Sequence, residues 1–174
     1  MERRDLLSGK RILLGVSGSI AAYKAVDLLR RLTDGGAEVR VAMTKHAAKF
    51  VSRMTFETLS HGSVLHDEFS GRDQGAIGHI EITEGLDLAL VAPATANIIG
   101  KIAAGIADDA LTSALMALDC PLVIAPAMND RMYRNVFLQR NMSLLKQSGC
   151  GSSNLGQAAL PAALQAREDW RTVT

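Results

Sequence analysis

Aromatic residues are scarce in this sequence, at 4% of 174 residues with a single tryptophan, although 48% of the chain is hydrophobic. Its core must therefore be aliphatic. Cysteine is scarcer: Cys120 and Cys150 are the only two. That excludes a disulfide framework and a cysteine metal site, and it fits reduced thiols in the cytoplasm. No excess of one charge exists either, since 19 Lys and Arg face 18 Asp and Glu for a net charge of +1. A general nucleic-acid binder would show a clustered basic face. No run approaches the roughly 20 apolar residues that a bilayer-spanning helix needs. The opening MERRDLLSGK is charged where a secretory signal carries an apolar segment. What these exclusions leave is a cytoplasmic chain long enough for one domain and hardly for two.

What is present alternates between apolar runs and helical patterns. KRILLGV is a short buried run, and an amphipathic pattern continues after SGSIAAY to about Thr33. Glycines in DGGAEV stop that helix and lead into a second strand, EVRVAMT. A helix from about His46 to Ser52 is expected next, with a second short one near Phe56. LDLALVAPAT (Leu86–Thr95) and CPLVIAPAM (Cys120–Met128) read as strands buried on both faces, with Pro93 ending the first. Between them lie helical patterns at Ala96–Ala104 and Ala110–Ala117, and a last helix runs from Val136 to Gln147, stopped by Gly149. This alternation predicts an α/β fold: a Rossmann-like (flavodoxin-like) parallel sheet with helices on both faces. The expected domain spans 9–150, after a short tail at 1–8.

Ligands of such sheets bind where strands end and helices begin. Three strand ends are unusual here. GVSGSIAAYK places Gly15, Ser17, Gly18 and Ser19 where backbone N–H groups can approach an anion, with two hydroxyls at hand. It lacks the Gly-Lys-Ser/Thr of a Walker A loop and the full G-x-G-x-x-G fingerprint, so a mononucleotide phosphate suits it better than a dinucleotide. An ordinary glycine-rich turn is the competing reading. In VAPATANIIGK, Asn97 can cap a helix or bond the polar edge of a flat heterocycle. Asp108 and Asp109 downstream read as helix caps rather than metal ligands. In IAPAMNDRMY, Asn129 is a turn or cap residue or a ligand contact, and Met128 and Met132 have the spacing of core residues. His46, His61 and His66 sit in polar surroundings and are expected at the surface. His79 follows a glycine and precedes an apolar segment, where a histidine can exchange a proton near neutral pH or serve structure alone.

Taken together, from about Gly9 to Cys150, these stretches resemble the flavin-containing cysteine decarboxylases, and among them the phosphopantothenoylcysteine decarboxylases of coenzyme A biosynthesis. GVSGSIAAYK is similar to the family's FMN phosphate loop, GHIEI to the motif of its active-site histidine, PATANIIGKIAAGIADDALT to its PASANT motif, and PAMNDRMY to its PxMNxxM substrate motif. The resemblance implies FMN held by Ser17, Gly18 and Ser19 with Thr44 nearby, and a ring lined by Ala94, Thr95, Ala96 and Asn97. It implies His79 as catalytic base, and Asn129 beside Met128 at the substrate's carboxylate or adjacent amide. It also implies a homotrimer, or a dodecamer of trimers, with the flavin near a subunit interface. No metal, nucleic acid or membrane enters this chemistry. The chemistry the resemblance implies is that FMN would oxidise the cysteinyl thiol of 4'-phosphopantothenoylcysteine to a thioaldehyde, an electron sink that permits loss of carbon dioxide. The reduced flavin and a cysteine acid would then return the resulting enethiolate to the saturated thiol of 4'-phosphopantetheine.

That cysteine lies on a clamp beyond the family's last helix, in a pattern like EPxxGxLACxxxGxGRL, which this chain lacks. The resemblance ends at Gly151, and Cys150 lies upstream of the clamp position. Residues 151–170 can be encoded so that reading from the third base of the first codon gives FVEPGPGCLACRTAGQGRL, with EPG, LAC and GxGRL in order. The tail is therefore read as a frameshifted clamp, one base having been lost near the Cys150 codon. A ligase domain that follows in bacterial relatives would be lost with the frame. The plainer alternative is a C-terminal helix, QAALPAALQARED, broken by Pro161 at about 3 kcal/mol, which makes a partly disordered tail the expectation. On either reading the chain is expected to bind FMN and to be impaired in the final reduction. A peptidyl-cysteine decarboxylase and a non-catalytic flavin-binding or regulatory subunit are the alternative functions.

Overall fold

Val, Leu and Ile runs flanked by glycine turns become strands here because both faces of each run can be covered. The computed structural model describes residues 7–62, 64–66 and 78–150. Its strands are β1 (Arg11–Val16), β2 (Glu38–Met43), β3 (Val64–Leu65), β4 (Leu88–Ala94) and β5 (Leu122–Pro126). They pair in parallel in the order β3-β2-β1-β4-β5. The helices are α1 (Ala22–Asp34), α2 (Arg53–Ser60), α3 (Gly78–Glu81), α4 (Ala96–Ala104), α5 (Ala110–Met116), α6 (Asp130–Tyr133) and α7 (Val136–Gln147). This is the expected Rossmann-like α/β class, and its strand order reverses direction between β1 and β4. No helix among the described residues is long and apolar enough to cross a membrane.

Alternation along the strands sorts the core into two layers. Ile12, Leu14 and Val16 of β1 join Leu90 of β4 beneath α1 and α2, where Leu28, Leu29 and Phe56 pack. Leu13 of β1 and Ala89 and Val91 of β4 face the other way, onto Ile98, Ile99, Leu111 and Leu138 of α4, α5 and α7. Phe56 is the largest fully buried side chain, and leucine, isoleucine, methionine and valine supply the others, as the shortage of aromatics requires. Gly15 is needed where the second layer approaches β1: a Cβ there would lie 2.8 Å from Leu111 Cδ1 and 3.2 Å from Val91 Cγ2.

Several expected boundaries shift. The first expected helix after β2 is a single 3₁₀ turn, Ala47–Lys49, and the regular helix is the later one, α2, capped by Ser52 accepting from the Met54 N–H. Pro93 does not end β4 but lies within it, after a cis peptide bond and at a register irregularity between Val91 and Ala94. A proline is tolerated there because the ladder to β5 is already interrupted. The short β3, α3 and α6 carry too few residues for a periodic pattern. Residues 1–6 and 151–174 lie outside the described residues, and with them the expected C-terminal tail and most of the N-terminal one, but Leu7 of the expected tail at 1–8 is buried in the first core layer with its N–H on the Gly35 carbonyl.

The junction of α4 and α5 is fixed by charge. Lys101 Nζ lies 2.5 Å from Asp108 Oδ1 and 3.1 Å from Asp109 Oδ2, and Asp109 and Thr112 form a reciprocal capping box at the start of α5. Capping was the expected role of these carboxylates, and Asp109 fills it while Asp108 binds Lys101. Burial pushes the Asp109 carboxyl upward, but the Thr112 N–H and the Lys101 ammonium outweigh it and hold it below the usual range.

Gly15→Ala should cost about 1–3 kcal/mol by overpacking, and Leu111→Ala about 2–5 kcal/mol by opening a cavity. In urea denaturation the double variant should lose less than the sum, and strict additivity would refute the contact. Asp109 has a lowered folded pKa, so its contribution is present above the unfolded value near ~3.9 and is lost as pH falls through the folded one. Asp109→Ala should therefore lower stability by about 1–2 kcal/mol at neutral pH and flatten the acid limb of a stability–pH curve, whereas an unchanged limb would count against the pair.

Candidate functional site

The ends of β1 and β4 are tied together by one buried hydroxyl. Ser17, 1% exposed, donates from Oγ to the Pro93 carbonyl at 2.7 Å and accepts from the Thr95 N–H at 3.1 Å. Its own N–H also reaches the Pro93 carbonyl, at 3.3 Å. The Ser17 hydroxyl is thus committed to the protein. The Gly18 backbone presses on the turn after β2, where a Cβ would lie 2.5 Å from His46 Cβ. Glycine is required there by close approach, whatever ligand the turn holds. Ser19 Oγ accepts from the Ala21 N–H at 3.2 Å, and the Ser19 carbonyl accepts from Ala22. The N–H groups of Gly18, Ser19 and Ile20 find no acceptor among the described residues. They form a row of free donors at the start of α1.

Thr44 stands beside this turn, 8% exposed, with its N–H on the Val16 carbonyl and its Oγ1 accepting from the Ala47 N–H. On the other side, α4 is capped by Thr95, whose Oγ1 accepts from the Ile98 N–H at 3.3 Å. Asn97, an expected cap, instead occupies the exposed second position of the helix, so its amide is free to face a ligand. Ala94 is buried at the strand end, and the Ala96 and Asn97 N–H groups have no acceptor among the described residues. Two helix starts thus converge at the point where strand order reverses, with free N–H groups on both. Such a place favours an anion.

Asn129 follows β5 and caps α6, its Oδ1 accepting from the Arg131 N–H at 2.9 Å. The residue is exposed. Met128 is half-buried against the second core layer, whereas Met132 is 50% exposed and is no core residue. His79 is half-buried on α3, which packs against α5. Arg40, in the middle of β2, reaches the end of α3, with Nη1 at 3.1 Å from each of the Glu81, Ile82 and Glu84 carbonyls. Sequence reasoning passed over Arg40. Its one signal is a cation inside the otherwise apolar EVRVAM.

The adjacent ends of β1, β2 and β4 thus carry Ser17, Gly18, Ser19, Thr44, Ala94, Thr95, Ala96 and Asn97, while Met128 and Asn129 follow β5 and His79 stands on α3. His46 and His61 are exposed as expected, but His66 is half-buried and its Nδ1 has no hydrogen-bond partner. Cys150 packs against the second core layer beyond α7, about 18 Å of helix from Asn135. Burial pushes its thiol up to about 11. No cluster of metal-ligating side chains occurs among the described residues. A groove of about 510 Å³ between α4 and α7, lined by residues such as Gly100, Arg140 and Leu144, includes none of the candidate residues.

Known proteins share this arrangement. The chain is 49% identical over 144 residues to the coenzyme A biosynthesis bifunctional protein CoaBC of Bacillus subtilis, covering 83% of this chain and 36% of that one. It is 43% identical over 143 residues to CoaBC of Escherichia coli K12, covering 82% and 35%. It therefore spans about a third of the length of these curated relatives. Among solved structures, the FMN-dependent cysteine decarboxylase SpaF matches with a TM-score of 0.78 and 32% identity, over 91% of this chain and 98% of that one. A PPC decarboxylase complexed with pantothenoylaminoethenethiol matches with a TM-score of 0.71 and 31% identity, over 94% and 99%. The Flavoprotein family model matches residues 1–166, and the chain belongs to that family.

Proposed function

We propose that this chain binds FMN and decarboxylates 4'-phosphopantothenoylcysteine in the cytoplasm, as a step of coenzyme A biosynthesis. The observation that carries the reading is the pair of helix starts, α1 and α4, joined through Ser17 and presenting unpaired N–H groups to one point. That donor set fits a phosphate monoester. Gly18, Ser19 and Ile20 would hold the phosphate with Thr44 beside it, and Ala94 to Asn97 would border the ring. When bound, FMN supplies a two-electron acceptor for the cysteinyl thiol, which gives the departing carboxylate's electrons somewhere to go. Asn129, from its cap position on α6, would orient the carboxylate or the adjacent amide. His79 would remove a proton from the substrate.

The same reading makes the enzyme a homo-oligomer. His79 and Asn129 border the proposed crevice from separate elements, α3 and the start of α6. Large apolar side chains also stand exposed beside it: Ile20 is 67% exposed, Val136 71% and Phe137 65%. A second copy, as in a homotrimer, would cover such side chains and bring His79 of one chain to Asn129 of another. The final reduction is the weak step. Cys150, half-buried at the far end of α7, does not replace the clamp cysteine that the tail, read as frameshifted, lacks. The product should therefore stop largely at the enethiol.

Purified protein mixed with FMN should show a protein-bound flavin spectrum and release carbon dioxide from 4'-phosphopantothenoylcysteine, with enethiol predominating by mass spectrometry. Gly18→Val should weaken FMN binding by at least about tenfold by disrupting the anion turn. Folded protein that stays colourless in excess FMN would end the proposal, and a fully saturated thiol product would end its account of the tail. His79→Asn and Asn129→Asp should each be inactive, yet mixed oligomers of the two should recover about a quarter of the sites by random pairing. No recovery in demonstrably mixed oligomers would place both residues in one chain's site.

A further inference from the structure

The helix that carries His79 is four residues long. A helix of that length does not persist on its own, because nucleation costs more than one turn of hydrogen bonds returns. Part of its support is local. Thr83 Oγ1 donates to the Ile80 carbonyl at 2.7 Å, and the Thr83 N–H reaches the same carbonyl. The Glu84 N–H also reaches the Glu81 carbonyl at 3.3 Å, but a helix end leaves carbonyl lone pairs over. Arg40 supplies a partner for one to three of them, since Nη1 lies at 3.1 Å from the carbonyls of Glu81, Ile82 and Glu84. The guanidinium is anchored in β2, whose register with β1 sets Arg40 opposite Leu13, and Glu38 Oε1 lies 3.4 Å from Arg40 Nε. The side chain is 27% exposed. A cation at the carbonyl end of a helix is also favoured electrostatically.

We infer that Arg40 is a positioning residue for the proposed reaction: it clamps the carboxyl end of α3 to the sheet and thereby sets the orientation of His79. The inference rests on the proposed role of His79. It goes beyond that role by assigning the placement of the base to a cation in the second strand, outside the four recognised motifs. Lysine would keep the charge but present a single nitrogen on a flexible stem, so it would replace the clamp only in part.

Arg40→Met keeps the aliphatic volume and removes the donors. In the FMN-loaded protein, kcat for carbon dioxide release from 4'-phosphopantothenoylcysteine should fall at least about tenfold, the loss typical of a misplaced reacting group. KM and FMN affinity should stay within about twofold, because neither uses α3. Arg40→Lys should recover part of kcat. In a His79→Asn background, Arg40→Met should cost little more, since the base it serves is already gone. Hydrogen exchange should speed up at the amides of residues 82–84 in Arg40→Met while β1 and β4 amides stay protected. Unchanged exchange at 82–84, an unchanged kcat, or an equal kcat loss in the His79→Asn background would each overturn the inference. If His79→Asn keeps full turnover, the role of His79 falls, and the exchange measurement still decides whether Arg40 holds the helix.

Discussion

The hydroxyl of Ser17 is the contact on which the site's geometry depends. It donates to the last turn of one central strand and accepts from the first residue after it, while its own backbone belongs to the neighbouring strand. Two helices leave the sheet at this point in different directions. Without a cross-tie, their starts would be related only by the ladder between β1 and β4, which ends at Gly15 and Val91. The tie extends the register past the ladder by two residues, to where the free N–H groups lie. A buried hydroxyl that satisfies both a carbonyl and an amide also removes the cost that each would carry unpaired. The serine therefore shapes the site through its protein partners, whatever ligand it meets.

Away from this junction the two flanks are built differently. The phosphate turn is over-determined: Gly18 packs on His46, Ser19 closes its own local bond, and β2 enters through Thr44. The α3 flank is sparsely supported. It is a single turn beyond a two-residue strand, and it meets the sheet through Arg40 and through Ile82 against the second core layer. Rigidity therefore concentrates where a cofactor would be gripped.

What the sequence made legible follows from this division. The long elements were readable because periodicity accumulates over many residues: α4 at Ala96–Ala104 and α7 at Val136–Gln147 agree with their expected bounds. The crevice was readable because strand ends collect small and polar residues. Interactions between strands were not readable. Ser17 looked like a ligand contact because sequence cannot show that Pro93 and Thr95, more than seventy residues on, would take up its hydroxyl. Asn97 looked like the cap because Thr95, two residues earlier, was an equally good candidate. Pro93 looked like a strand end because its ladder irregularity depends on β5. Arg40 was invisible as a site residue for the same reason, since its partners lie beyond a loop in a helix too short to predict.

Binding and turnover separate physically in such a molecule. The groups proposed to hold the FMN phosphate and border its ring lie at the adjacent ends of β1, β2 and β4 of one chain. Turnover would need His79 and Asn129 at one substrate, and they stand on separate elements, α3 and the start of α6, which would meet either by a movement of α3 or through a second copy. The first alternative is poorly compatible with the Arg40 clamp, which holds α3 against the middle of β2. The second requires no rearrangement within the chain, and it covers apolar side chains such as Phe137 that are otherwise exposed to water. Association and catalysis then become one requirement: a change that weakens subunit contact should abolish chemistry.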